Sequence, residues 1–498
     1  MREKYETLSL SSLRAIVKEI GVKGYTSMKK EELVDILVAE EKKQQAAKSA
    51  APAAPAVKAA PAVKATEERK PAEKPAQEKA AAEKNAEERR IGDQPRFTVP
   101  EKPERRMQEE RKEFLDEEEI AALDSNITVS GIIEVMPDGV GFIRSENYLP
   151  GSNDVYVAPA QVKRFGIKTG DIIEGNTKIK LPTEKFSALL YVKKINGLSP
   201  DQIAHRYSFE NMTPIFPDEK IHLDIPGAPV SMRIMDLMSP VGKGQRGMIV
   251  SPPKAGKTTL LKAVAKCVKH SNPDMHMIIL LIDERPEEVT DIKEAIMGPN
   301  VEVIYSTFDE TPEHHKRVAE MVIERAKRLV EHKKDVIILL DSITRLTRAY
   351  NQVIPPSGRT LSGGLDPAAL HMPKRFFGAA RNMREGGSLT ILATALVDTG
   401  SKMDDVVYEE FKGTGNMEMV LDRKLSEKRV FPAIDIPKSG TRREDLLLTP
   451  DELEAINIMR KAFNGMKPEE AADKVIDLFS RTRNNREFVD MLKKTKWL

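Results

Sequence analysis

Residues 247–268 read GMIVSPPKAGKTTLLKAVAKCV. A short apolar run, a turn rich in Pro, Gly and Lys, and a stretch of helical period follow one another without a gap, giving the order strand, phosphate-binding loop, helix. In such a loop the backbone N–H groups and a helix N-terminus converge on phosphate oxygens, and a lysine adds a point charge. Lys257 is that lysine, and Pro253, Lys254, Ala255, Gly256, Thr258 and Thr259 complete the cradle. The Thr258 hydroxyl is a candidate ligand for Mg2+. Ser251 stands where the usual pattern has its first glycine, so the assignment rests on the GKT core and on the flanking strand and helix.

Downstream of this loop the runs MIILLID, VEVIYSTF, VIILLD and LTILATALV alternate with helical stretches. Each is nearly continuously apolar, as strands buried on both faces of a parallel sheet must be, which predicts a large α/β domain over 230–498. VIILLD ends in Asp341, a carboxylate at a strand tip and the second candidate Mg2+ ligand. The turn DERPEEV supplies Glu284 to polarise an attacking water and Arg285 to orient it. Phosphoryl transfer needs charge compensation and alignment more than covalent chemistry, and ATP with Mg2+ suits this set. An arginine finger is missing from the neighbourhood of the loop.

The chain has 498 residues, room for about three folded units. Charged residues make up 31% and aromatic ones 5%, and 79 Lys plus Arg against 77 Asp plus Glu leave a net charge of +2, so bulk charge announces no nucleic-acid partner. One Cys excludes a disulfide framework and a cysteine zinc site, which fits a reducing compartment. The pair His314 and His315 is expected on a solvated helix face. No apolar run approaches the roughly 20 residues that span a bilayer, and the start MREKYETL lacks the apolar core of a secretion signal. A cytoplasmic protein with no membrane contact is expected.

Leu13, Ile16, Val17 and Ile20, then Leu33, Ile36 and Leu37, recur at helical spacing around Gly21 and Gly24, predicting a helical hairpin over 1–42. Residues 43–119 form a tether and charged linker; between 44 and 90 Ala, Pro, Lys and Glu dominate, and Val57 and Val63 are the only large aliphatic side chains. Over 120–198 short β-type runs, ITVSGIIEV, GVGFIRS, DVYVAP, GDIIEG and FSALLYVKKI, alternate with turn residues, the pattern of a small five-stranded barrel of the oligonucleotide-binding type. A connector fills 199–229.

Taken together, DERPEEV, DSITRLTRAYNQ, PPSGRTLSGGLDPAAL, ALVDTGSKMDDVVYEEFKGTGNME and RVFPAIDIPKSGTRRE resemble the Rho family of bacterial transcription termination factors, over almost the whole chain except the tether. The resemblance implies a RecA-type motor in a homohexameric ring, an RNA-dependent ATPase and 5′-to-3′ RNA–DNA helicase that releases nascent transcripts from RNA polymerase. It implies further that Arg442 is a finger inserted into a neighbouring subunit's nucleotide site, with Arg429 close by, and that Phe431 stacks on adenine. Arg359, in SGRTLSGG, and Lys402, in TGSKMDD, correspond to two pore loops that grip RNA.

Within the barrel DGVGFIRS and DVYVAP are similar to the cold-shock-type ribonucleoprotein motifs. Phe142 and Tyr156 would stack on bases, Arg144 would contact a base edge or phosphate, Asp154 and Glu184 would accept from cytosine-like amino groups, and Phe186 would join the pocket. Val140 stands where the family commonly has a second aromatic, which puts the base preference in doubt. Residues 121–197 carry nine basic and eight acidic side chains, so single-stranded RNA would be held by aromatic faces rather than by a broad basic field. Two rival readings are a rotary-type ATPase subunit, which the ribonucleoprotein-like barrel argues against, and a binding protein with marginal hydrolysis, which Glu284 with Arg442 argues against. Accessory elongation factors are compatible with the leading reading, though no motif specifies one.

Overall fold

The computed structural model describes residues 122–203 and 206–494, and ahead of them only Lys30 and Val34, both helical. The chain divides into two units, Met1–Pro100 and Glu101–Leu498. Apart from those two positions, the expected hairpin at 1–42 and tether at 43–119 lie outside the described residues.

Strands β1 (Asp124–Val135), β2 (Gly141–Arg144), β3 (Val155–Val157), β4 (Ile172–Lys178) and β5 (Ser187–Ile195) close into a barrel in the order β1-β2-β3-β5-β4. The two-residue period of a strand sorts its side chains: Ile133, Ile143, Val155, Val157, Ile173, Leu189 and Ile195 fill the interior. Phe142 pairs directly with Tyr156 across β2 and β3, so both rings share the outer face and stay half-buried. Helix α1 (Pro159–Arg164) then leads from β3 toward β4, starting on a proline that needs no N–H partner there.

The motor follows as β6 (Pro214–Ile215), α2 (Val230–Met238), β7 (Arg246–Ser251), α3 (Lys257–Ser271), β8 (His276–Glu284), α4 (Pro286–Ala295), β9 (Val301–Thr307), α5 (Pro312–Glu331) and β10 (Asp335–Asp341). It continues as α6 (Ile343–Val353), β11 (Arg381–Met383), β12 (Ser388–Leu396), α7 (Lys402–Lys412), β13 (Met417–Val420), β14 (Gly440–Thr441), α8 (Pro450–Phe463), α9 (Pro468–Ser480) and α10 (Asn485–Lys494). The strand order is β14-β13-β7-β12-β10-β8-β9, parallel from β13 to β9 with β14 antiparallel at the edge.

Both faces of this sheet are covered. In β8, Met277, Ile279 and Leu281 pack with α2, α3 and the C-terminal helices, while Ile278, Leu280 and Ile282 pack with α5 and α6. Two buried faces leave no position for polar alternation, which is why these strands read as unbroken apolar runs. β13, MEMV, escapes that pattern because a glutamate interrupts a run of only four residues. The stretch leading into α2 belongs to the motor: β6 pairs with β11, Phe209 and Met212 enter one core cluster, and Ile221 and Leu223 enter the other.

The two histidines of α5 part company. His314 is half-exposed, but His315 is buried and its Nδ1 meets the Ser306 hydroxyl at 2.7 Å. A solvated pair is therefore corrected for His315, because successive residues on a helix point about 100° apart.

The barrel sits against the β9 edge of the sheet. The side chain of Asn147 mimics a strand there, donating to the Tyr305 carbonyl at 2.5 Å and accepting from its N–H at 3.0 Å. Tyr148 inserts into the motor core and donates its hydroxyl to Glu302, whose carboxylate also meets His276 at 2.5 Å and Arg325 at 3.4 Å. Burial opposes the charge on Glu302, yet the bond to His276 and the Arg325 guanidinium outweigh it and hold its carboxyl down at about 2. Glu302→Ala is expected to cost about 3 kcal/mol at neutral pH, since Tyr148 and Arg325 lose a buried partner. With the folded carboxyl at about 2 and its ordinary value at 4.5, that contribution is complete above about pH 4.5 and fades as pH falls toward 2. Denaturant titrations of parent and variant at pH 7 and pH 3.5 should show the gap shrinking.

Candidate functional site

The loop after β7 ends at Gly256, whose φ of 93° is the left-handed conformation that glycine adopts without strain, and α3 starts at Lys257. The amide end of α3 therefore opens into the cleft that the loop borders, the arrangement that receives phosphate. Lys257 Nζ stands 2.8 Å from Glu284 Oε1 at the end of β8 and 2.5 Å from Asp341 Oδ1 at the end of β10. These strands are neighbours in register, so two carboxylates distant in sequence meet at one sheet edge. From β12, on the other side of β10, Thr394 donates to Asp341 at 2.7 Å. Sequence reading did not single out Thr394, since a threonine inside an apolar strand is ordinary β composition.

Charge on these groups is set by their mutual contacts. Burial works against the Lys257 ammonium, but Asp341 and Glu284 outweigh it and raise its pKa above the usual lysine value. Burial first, and the nearby Asp341 charge second, raise the Glu284 carboxyl above the usual carboxylate range, with Lys257 and Arg345 opposing. Arg345, at the start of α6, reaches Asp283 at 3.0 Å and Glu284 at 3.8 Å. Sequence reading missed this cation because nothing in DSITRLTRAYNQ tells which arginine faces the cleft.

A cleft of about 880 Å3 joins these groups, lined by Pro253, Lys254, Lys257, Thr258, Thr259, Glu284 and Arg285 among others. Thr258 Oγ1 lies 3.4 Å from Glu288, and Asp341 is 1% exposed beneath the cleft. A hydroxyl and a carboxylate at one phosphate loop are the hard oxygen donors that Mg2+ takes, so this donor set fits that ion. Lys254, Gly256 and Thr259 also border a second, more apolar cavity of about 520 Å3 that includes Ala255 and Phe431. Phe431, 47% exposed, thus stands beside the phosphate loop where a flat ring could stack. Arg429 and Arg442 are exposed and line neither cavity; Arg442 borders a separate cleft at the β13–β14 edge.

On the barrel Phe142 is the hub of an aromatic cluster, 6.0 Å from the Tyr156 ring and 5.5 Å from Phe186, each edge-to-face. Beside it on the same face, with the Arg144 guanidinium 5.1 Å from the Phe142 ring centroid, Arg144 and Asp154 are buried and bonded to each other at 2.5 Å. Arg144 also binds Glu134 at 2.6 Å, and Asp154 accepts from the Gly151 N–H at 3.0 Å. Arg144 and Asp154 thus brace the strands that carry the rings. Glu184 closes its own turn by accepting from the Leu181 N–H at 3.0 Å.

The two loops expected to grip RNA lie together. Arg359 and Lys402 are both exposed, and a Cβ on Gly363 would fall 2.4 Å from the Met403 nitrogen, so the first loop rests directly on the start of α7. Asp404, in the first turn of α7, is buried and accepts from Nε and Nη2 of Arg348 on α6, each at 2.8 Å, and from the Thr399 hydroxyl at 2.6 Å. Arg348 and Asp404 carried no sequence signal, because their pairing joins segments 56 residues apart.

Comparison with known proteins matches these two bodies separately. Residues 231–441 fit the ATP synthase alpha/beta family, nucleotide-binding domain, and residues 129–201 fit the Rho termination factor, RNA-binding domain. The chain is thus an ATP-hydrolysing enzyme of the P-loop class that carries an RNA-binding barrel. Transcription termination factor Rho of Pseudomonas aeruginosa is 55% identical over 74% of this chain and 88% of its own length. The Bacillus subtilis factor of the same name is 55% identical over 73% and 84%. A solved ATPase from the type III secretion system of pathogenic bacteria is similar over 59% of this chain and 91% of its own, with 24% identity and a TM-score of 0.48. The chain belongs to the transcription termination factor Rho family.

Stacking on one aromatic is worth about 1 to 3 kcal/mol per base, so Tyr156→Ala should weaken poly(C) binding roughly 5- to 150-fold. Filter binding measures this, and the unfolding midpoint should change little because the Tyr156 ring faces outward.

Proposed function

We propose that this protein captures nascent C-rich RNA on its barrel, threads it through a homohexameric ring, and uses ATP hydrolysis to move 5′ to 3′ and strip the RNA from an elongating RNA polymerase. The observation that carries this reading is the convergence of Lys257, Glu284 and Asp341 in a chain that also presents the Phe142, Tyr156 and Phe186 cluster. Cytoplasmic action accords with it, and among the described residues no helix is long and apolar enough to cross a membrane.

Each residue then has a task in phosphoryl transfer. Lys257 moves from its two carboxylates to the terminal phosphates, which leaves Glu284 free to accept a hydrogen bond from water. Its raised pKa makes it a stronger base than an ordinary carboxylate. Arg285 and Arg345 flank that water, and Phe431 stacks on the base. Thr258 and Asp341 would hold Mg2+, which supplies charge neutralisation at the phosphate oxygens. Arg442 of one subunit completes the site of the next, a contribution of about 10³ to 10⁵ in rate.

Helix α6 is the path from chemistry to RNA. It follows Asp341 directly, contacts Glu284 through Arg345, and one turn later grips Asp404 beneath the Lys402 loop through Arg348. A shift of this helix as phosphate leaves would carry both pore loops, because Gly363 and Met403 are in contact.

Phosphate release measured with and without poly(C) tests the whole reading. Turnover should rise at least tenfold with RNA, and Glu284→Gln should abolish it while keeping nucleotide affinity. An RNA-independent rate would remove the motor from RNA and overturn the proposal. Asp404→Asn should lower the ratio of RNA-stimulated to RNA-free turnover about tenfold with little change in KM for ATP, since a neutral amide cannot hold both Arg348 nitrogens. An unchanged ratio would show that α6 does not couple the sites.

A further inference from the structure

The β13–β14 edge holds a cleft of about 390 Å3 that shares no lining residue with the phosphate-loop cleft and is lined by Lys412, Glu418, Lys438 and Arg442 among others. Glu418 lies in β13 directly opposite Gly440 of β14, and the Arg442 N–H donates to the Asn416 carbonyl at 2.8 Å. The backbone of Arg442 is therefore pinned within two residues of Glu418 on each strand. Its long side chain starts from an exposed position with many rotamers open to it.

Among the described residues three carboxylates carry a buried oxygen without a hydrogen bond: Glu331, Glu418 and Asp435. Glu331 is ion-paired with Arg206 at 3.4 Å and Asp435 with Lys438 at 2.8 Å, whereas Glu418 has no ion pair with any of the described residues. A half-buried carboxylate in that state is costly unless a cation answers it. Burial pushes its carboxyl up, and the cations that pull it back are Lys412 and Arg442, with Glu409 opposing them. Lys412, which stands over the Tyr408 ring at 5.4 Å, is the larger of these two influences, and Arg442 is the one whose backbone the β13–β14 pairing fixes beside Glu418.

We propose that Glu418 is the positioning residue for Arg442, holding its guanidinium at the sheet edge in the direction from which it enters a neighbouring subunit's nucleotide site. This rests on the reading of Arg442 as a residue donated between subunits. Glu418 touches no reacting atom. It narrows the conformations of Arg442 before and during ring assembly, so its effect reaches the reaction only through that arginine.

A double-mutant cycle on the full-length protein tests this, with poly(C)-stimulated ATP turnover as the readout and melting temperature as the check on folding. Glu418→Gln should lower kcat about tenfold while KM for ATP and affinity for poly(C) stay within about twofold, and Glu418→Asp should recover part of the loss. Arg442→Ala should lower kcat on the order of 10³-fold, and the double variant Glu418→Gln/Arg442→Ala should fall no further. Wild-type kcat in Glu418→Gln, or a double variant lower than Arg442→Ala by the full single-variant factor, would overturn the role of Glu418 alone. Full turnover in Arg442→Ala would overturn the reading of Arg442 and the positioning role with it.

Discussion

The ammonium of Lys257 held between Glu284 and Asp341 is the contact on which the motor is organised. Three groups from three segments meet within 2.8 Å only because β8 and β10 are adjacent and the loop after β7 turns back over their C-terminal ends. Two carboxylates this close in a buried place would repel, and the lysine makes their proximity tolerable. Nucleotide phosphate competes for the same cation, so its arrival changes the electrostatics of both acids at once. Arg345, at the start of α6, lies 3.8 Å from Glu284, so the same change reaches the end of that helix electrostatically.

The barrel solves a different problem. Its half-buried aromatic cluster keeps apolar rings partly open to solvent, and the Glu134, Arg144 and Asp154 network ties together the strands that carry it. Those charges are spent internally, as are Asp171, Arg206 and Glu331 at the junction with the motor. In a chain rich in charge but near neutral overall, many ionic groups thus pair inside the protein.

Much of this was legible in one dimension. The five barrel strands and the buried runs of the motor announce themselves because strand period and two-sided burial leave direct marks on composition. The phosphate loop is readable because phosphate binding needs residue types at fixed local spacing. β13 was not readable, being four residues long with a glutamate inside, and its edge position gives that glutamate its place opposite Gly440. His315 was placed on the wrong side of α5 because a two-residue pattern says nothing of which face the sheet covers. Arg144 and Asp154 fit a recognition motif by type, and only the fold shows that they are paired with each other beside the Phe142 ring.

Sequence alone settles the kinds of domain, the phosphate loop and the family. Those features are local, and local spacing survives in a linear string. Tertiary structure decides which carboxylates share Lys257, that Arg348 of one helix holds the loop of another through Asp404, and that Arg442 lies outside the cleft of its own chain. Those facts depend on strand order and helix rotation, which are set by the burial of all apolar faces at once and leave no fixed spacing to read.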